Sequence, residues 1–116
     1  MSTSLFDAHV RSQPGVATID LSGEINSFAE QQLKEAYLLA ESSNPATILL
    51  NFDNVSYINS TGIALIVGLL VQARKSRRKL VVFGLSDHYT KIFQITRLVD
   101  FMTIYSDEEE ALEKIR

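Results

Sequence analysis

Cysteine is absent from this 116-residue chain, proline occurs twice and glycine five times. Without cysteine there is no disulfide, no thiolate nucleophile and no thiolate metal site, which suits the cytoplasm. So little proline and glycine leaves no long low-complexity linker, and no internal repeat is present. The two histidines, His9 and His88, lack metal-ligand spacing and have no cysteine to help them, so no metal or other cofactor is expected. The longest apolar run, residues 63–71, is about half of what a bilayer span needs, which excludes direct membrane insertion. Residues 1–10 lack the apolar stretch of a signal peptide. Cations are not in excess either: the net charge of −3 speaks against a nucleic-acid partner. There is no GxSxG around Ser60, no GxGxxG, and no P-loop lysine after a glycine. Nothing in the sequence fixes the separation of Asp53 and Asp87 that an acid/base pair would need. The protein is therefore not expected to be an enzyme.

What is present is the composition of an ordinary soluble globular protein, 46% hydrophobic and 22% charged, of a size that supports one domain over residues 1–116. Residues 5–10 read as a weak strand, followed by a turn at 12–15 and an alternating, half-covered strand at 16–21. Residues 22–26 read as a loop. Ser27 with Glu30 forms a capping box for a helix that buries Ala29, Leu33, Ala36, Tyr37 and Ala40, with Glu30, Gln31, Lys34 and Glu41 on the wet side. The unbroken Ile48-Leu49-Leu50 within a strand at 46–52 implies burial on both faces, as in a parallel sheet. Residues 53–58 lead to a turn, and a buried core helix starts just after Ser60 and ends among Arg74, Lys75, Arg77, Arg78 and Lys79.

Residues 80–83 form a further strand closed by Gly84, and Ser86 or Asp87 caps a helix through about Thr96, with Ile92, Phe93 and Ile95 in its pattern. A short strand at 101–105 precedes a last helix opened by a Ser106/Glu109 capping box, with Glu108, Glu109 and Glu110 in the first turn, where the helix dipole favours them. The order ββαβαβαβα predicts an α/β fold with a mixed, mostly parallel central sheet. Functional groups in such sheets gather beyond the carboxyl ends of the strands. Residues 22–26, 54–60 and 84–87 should therefore share one rim.

The stretch Tyr57-Ile58-Asn59-Ser60-Thr61-Gly62 stands out on that rim. Small polar residues and a glycine sit between a strand-like run and an apolar helix, which places a hydroxyl at the positive end of a helix dipole. The basic residues from Arg74 to Lys79 read instead as cations complementing the negative end of that helix, with no interleaved aromatics to stack bases. Gly68, inside the helix, costs about 1 kcal/mol against alanine, for which a close helix–sheet approach is the expected compensation.

The run Phe52-Asp53-Asn54-Val55-Ser56-Tyr57-Ile58-Asn59-Ser60-Thr61-Gly62-Ile63-Ala64 resembles the signature of STAS domains, the sulfate-transporter and anti-sigma-factor-antagonist family. There a hydrophobic strand leads into Asp-Ser-[Ser/Thr]-Gly and an apolar helix. Leu21-Ser22-Gly23-Glu24-Ile25-Asn26 is similar to the family's earlier motif, commonly Leu-x-Gly-Glu-Leu-Asp, and residues 80–84 and 92–98 match its later strand and helix. The resemblance spans nearly the whole chain.

It implies a non-enzymatic switch. In the bacterial members, a serine at the position of Ser60 is phosphorylated by a partner kinase that is also an anti-sigma factor. The unphosphorylated protein binds that kinase and releases the sigma factor, and a PP2C-type phosphatase resets the system. On this resemblance Ser60 is the phosphoacceptor, Thr61 ranks below it, and Glu24, Asn26, Ser27, Asn59, Thr61 and Gly62 face the partner. A monomer or weak dimer is implied. Asn26 and Asn59 stand where the family usually has Asp, so the rim carries less negative charge here. Other STAS domains bind transporter ATPases in membrane transport complexes, which is the alternative role. A third is a small-molecule or nucleotide sensor using the helix N-terminus as its anion site.

Overall fold

Strong apolar runs and capped amphipathic stretches alternate along the chain, and each becomes an element in the expected order. In the computed structural model, which describes residues 5–115, these are β1 (Asp7–Gln13), β2 (Val16–Ile25), α1 (Glu30–Glu41), β3 (Thr47–Ile58), α2 (Ser60–Lys75), β4 (Lys79–Phe83), α3 (Asp87–Ile95), β5 (Thr103–Tyr105) and α4 (Glu108–Lys114). Short 3-10 turns at Ser27–Ala29 and Leu98–Asp100 precede α1 and β5. The sheet runs β1-β2-β3-β4-β5, with β1 antiparallel to β2 and the other pairs parallel. It is the mixed, mostly parallel α/β sheet that the pattern predicts.

Alternation along β3 and β4 sorts the core into two layers. Ile48, Leu50, Leu80 and Val82 join the side chains of α1, α2 and α3 on one face, whereas Leu49, Val81 and Phe83 meet Ala111 of α4 on the other. Both strands are thus covered on both sides, as their unbroken apolar sequences require. On the α4 side, Arg11 ties β1 to its neighbours by binding Asp20 at 2.7 Å and Glu108 at 3.0 Å. That guanidinium holds the Asp20 carboxyl below its ordinary range.

Several boundaries differ from the sequence reading. The hairpin turn is confined to Pro14 and Gly15, because Gly15 takes φ of 80° and lets Gln13 pair directly with Val16. Residues 22–25, expected as a loop, are the end of β2, and 53–58 are the end of β3: the two segments pair with each other from Ser22↔Asn54 to Ile25↔Ile58. Over their full paired length β3 uses 12 residues against 10 in β2. Register shifts between Asp20 and Ser22 and between Gly23 and Glu24 absorb the excess as bulges. Strand β2 is covered on both faces rather than one, with Thr18 buried beside Ala17 and Ile19.

Glu41 is not on the wet side, because it faces Arg78 at 3.4 Å in a half-buried pair that ties α1 to the α2–β4 connection. Burial and the Glu41 carboxylate push the neighbouring Tyr37 phenol upward. Strand β5 covers only 103–105 of the expected 101–105. Ile95 is 79% exposed, and Tyr89 with Phe93 supplies the buried face of α3 instead.

Candidate functional site

The first turn of α2 is built by Asn59, not by Ser60. Asn59 has extended backbone (φ −91°, ψ −177°), and its Oδ1 accepts from the Gly62 N–H at 2.8 Å. Its carbonyl accepts from Ile63 N at 2.9 Å, and its own N–H donates to the Ile25 carbonyl at 3.2 Å. Asparagine provides the same capping oxygen as serine and ranks with the best N-caps, so it takes the role one residue earlier than the sequence reading gave. Ser60 becomes the first helical residue and Thr61 the second, both exposed. With the cap on Gly62 and the Asn59 carbonyl on Ile63, the N–H groups of Ser60 and Thr61 fall among those a helix leaves without internal partners. An exposed hydroxyl therefore stands beside free donors at a positive helix end. Such a place accepts an anionic group readily.

Main chain holds that turn in position. A Cβ placed on buried Gly62 would lie 2.1 Å from the Ile25 carbonyl oxygen and 2.9 Å from Ile58 Cγ2. The helix thus starts in direct contact with the end of β2, closer than any side chain allows. A second anchor comes from α3, where the Tyr89 hydroxyl accepts from the buried Ile58 N–H at 2.9 Å. Ser86 caps α3 through the Tyr89 N–H at 3.2 Å, which sets the tyrosine's starting point.

The contact through Ile25 brings the earlier motif to the same rim. Asn26, the next residue, caps the 3-10 turn: its Oδ1 accepts from Phe28 N at 2.9 Å and its carbonyl from Ala29 N at 3.0 Å. Ser27, expected as the cap of α1, is exposed inside that turn, and α1 begins at Glu30 without a side-chain cap of its own. Glu24, half-buried, lies opposite Tyr57 in the β2–β3 register. Glu24, Asn26, Ser27, Asn59, Ser60, Thr61 and Gly62 therefore all fall at the carboxyl ends of β2 and β3. Asn26 and Asn59 do the same local work, each closing a turn with its side-chain oxygen. An aspartate could do this too, but would add a charge.

Other candidates lie apart from this constellation or have local explanations. His88 is exposed at the start of α3, edge-on to the Tyr89 ring at 4.8 Å. Among the described residues no group of His, Cys, Asp and Glu could hold a metal ion, and no helix is long and apolar enough to cross a membrane. Within the basic cluster, Arg78 bonds the Asn44 side chain and the Pro45 carbonyl, and Arg74 lies over the Phe101 ring at 5.4 Å. Gly68 does not make the close helix–sheet approach expected of it. It is exposed, and a Cβ there would meet nothing within 4 Å. It borders an open groove of about 450 Å³ between α1 and α2, with Ala64, Leu65, Leu33 and Leu38. Helix α2 is accordingly amphipathic rather than buried all round, with Ile66, Leu69, Leu70 and Ala73 inward.

Sequence reasoning missed Tyr89 and Phe28. The tyrosine follows its cap at helical spacing from Phe93, a signal that could have placed it on the inner face. Phe28 is set off by one residue from the apolar stripe of α1, which marks a large side chain the core does not use.

Comparison with known proteins agrees with this fold. The STAS domain profile matches residues 7–111. The chain is 34% identical over 92 residues to a protein named anti-sigma-B factor antagonist from Listeria monocytogenes, covering 79% of this chain and 81% of that one. Its fold is similar to the crystal structure of an anti-sigma factor antagonist from Mycobacterium paratuberculosis, with a TM-score of 0.84, 18% identity, and 99% and 97% of the two chains covered. It is also similar to SpoIIAA, a Bacillus cell fate determinant, in its phosphorylated form, with a TM-score of 0.71, 25% identity, and 97% and 100% covered. Motifs, sheet order and the profile match over most of the chain agree, and the protein belongs to the STAS domain family.

Proposed function

We propose that this protein is an anti-sigma-factor antagonist, a partner-switching regulator that acts by binding and not by catalysis. On this reading its Ser60 rim docks on a cytoplasmic anti-sigma factor with serine-kinase activity. Phosphorylation of Ser60 by that kinase ends the association, and a phosphatase restores it. The names of the Listeria and Staphylococcus relatives support the role. The observation that carries it is the placement of Ser60: exposed, first in α2, and joined through Asn59 and Ile25 to the turn at Asn26.

Electrostatics give the switch its direction. A phosphate adds about −1.5 to −2 charges, which the N-terminus of a helix tolerates or favours. With neutral amides at positions 26 and 59, no neighbouring carboxylate at those positions repels it. Across a docked interface the same dianion must be stripped of water without a matching cation, which is costly. Phosphorylation should therefore change association and leave the fold nearly untouched.

Incubation with cell extract and ATP, followed by intact and peptide mass spectrometry, tests the acceptor. The parent should gain one phosphate and Ser60→Ala none; equal labelling of both would move the acceptor away from Ser60, with Thr61 first to be checked. Ser60→Asp should weaken anti-sigma-factor binding at least about tenfold, the size expected for one unpaired interfacial charge, with little change in melting temperature. Because Asn59 holds the cap, a collapse in stability would contradict this account of the turn.

A further inference from the structure

We propose that Phe28 is the apolar anchor of the docking surface, so that the partner carries a hydrophobic pocket beside the patch that meets Ser60. The proposal rests on the reading of the Ser60 rim as a protein-docking surface, and adds the side chain that supplies much of the affinity. Phe28 is 90% exposed, more than any other large apolar residue described. Its exposure is not that of a loose loop. The Phe28 N–H is held by Asn26 Oδ1 at 2.9 Å, and the next residue, Ala29, is fully buried with its own N–H on the Asn26 carbonyl. The backbone is pinned on both sides, leaving two side-chain torsions free. A rigid aromatic of this kind loses little entropy when a partner covers it.

Its position ties it to the switch. The turn that carries Phe28 follows Ile25, the residue whose carbonyl takes the Asn59 N–H and contacts Gly62, and it lies against α2. Two further exposed apolar side chains share this end of the sheet. Leu5 is 78% exposed, and its carbonyl lies over Gly23, where a Cβ would come within 2.2 Å. Tyr57, 51% exposed, lies opposite Glu24. Aromatic and aliphatic groups set among amides and hydroxyls, with the half-buried Glu24 beside them, have a composition close to that of a protein–protein interface. The exposed cations at Lys75, Arg77 and Lys79 lie near the other end of the strands, so beyond the single helix N-terminus a polyanionic partner finds no cluster of positive charge at this rim. A small molecule would need a concavity, whereas Phe28 projects from the surface. The concave element must belong to a protein, and the reading above makes that protein the anti-sigma factor.

The probe is the purified anti-sigma factors of the source organism, titrated calorimetrically against the full chain and its variants. Phe28→Ala should weaken binding about tenfold to a hundredfold, the range for losing one buried phenyl group, with an unchanged melting temperature because nothing in the fold covers that ring. Phe28→Leu should keep most of the affinity. Ile95→Ala removes another highly exposed apolar side chain, at the far end of α3, and should bind like the parent. If Ser60→Asp weakens binding but Phe28→Ala does not, the anchor is wrong and the docking rim stands. If the parent binds none of the anti-sigma factors, the docking reading falls and the anchor falls with it. A drop in melting temperature for Phe28→Ala, or a Phe28→Leu as weak as Phe28→Ala, would also overturn the proposal.

Discussion

The first turn and the middle of α2 each contain a glycine, and the two stand there for opposite reasons. At Gly62 a Cβ would collide with the Ile25 carbonyl, so main chain touches main chain. At Gly68 a Cβ would meet nothing, and the helix faces an open groove. The helix is thus clamped at its start and looser along its outer side. Close backbone contact at Gly62 gives Ser60 a fixed place that does not depend on how side chains repack. Further along, Ile66, Leu69, Leu70 and Ala73 hold the helix by ordinary apolar burial, which tolerates exchange as long as volume is kept.

If this contrast is right, substitutions at the clamp should cost much and those at the groove little. Gly62→Ala has the largest expected effect, a loss of about 3 kcal/mol or more, since neither the Ile25 backbone nor the helix can yield without breaking the Asn59–Ile25 hydrogen bond. A urea titration with an unshifted midpoint would show that α2 slides freely and that Ser60 has no fixed seat. Tyr89→Phe comes next. It leaves the buried Ile58 N–H without its acceptor, and should cost about 1–3 kcal/mol in the same titration. A change of only a few tenths would mean that this tether is dispensable.

Asn59→Ala removes the cap and should cost about 1 kcal/mol. Asn59→Asp keeps the capping oxygen and adds a negative charge at the positive helix end, so stability should hold or rise by about 0.3–1 kcal/mol at neutral pH and low salt. If the two variants are equally destabilised, the side-chain oxygen is not what closes the turn. Gly68→Ala has the smallest effect and the opposite sign. It should raise stability by about 0.5–1 kcal/mol, since alanine is the better helix former and the space above it is empty. Destabilisation would mean that the groove is narrower than its lining implies.

The two asparagines show why the site was only partly legible in the sequence. The motif around Ser60 and the one ending at Asn26 were both visible, as was their common place at the strand ends. Which polar residue closes each turn was not, because serine and asparagine offer equivalent oxygens and adjacent positions fit the local pattern equally well. The choice fell one residue earlier than read at both turns, to Asn26 over Ser27 and to Asn59 over Ser60. At the last helix the cap falls one residue later than read: Asp107 accepts from the Glu110 N–H in place of Ser106, which instead bonds the Glu110 carboxylate. Phe28 and Tyr89 illustrate the same limit from the apolar side. A periodic pattern says which residues share a helix face, but not which odd ones point at solvent or reach a neighbouring strand.

By itself the sequence determined the order of strands and helices and the doubly covered centre of the sheet, which are written in the spacing of apolar and capping residues, and it carried the two motifs that resemble those of the family. Tertiary structure alone decided that β2 and β3 run on to Ile25 and Ile58, that Gly62 rests on the Ile25 carbonyl, and that Tyr89 holds the Ile58 N–H. Spacing reflects local backbone geometry. Those contacts join groups far apart along the chain, which meet once the sheet has assembled and carry no periodic mark of their own.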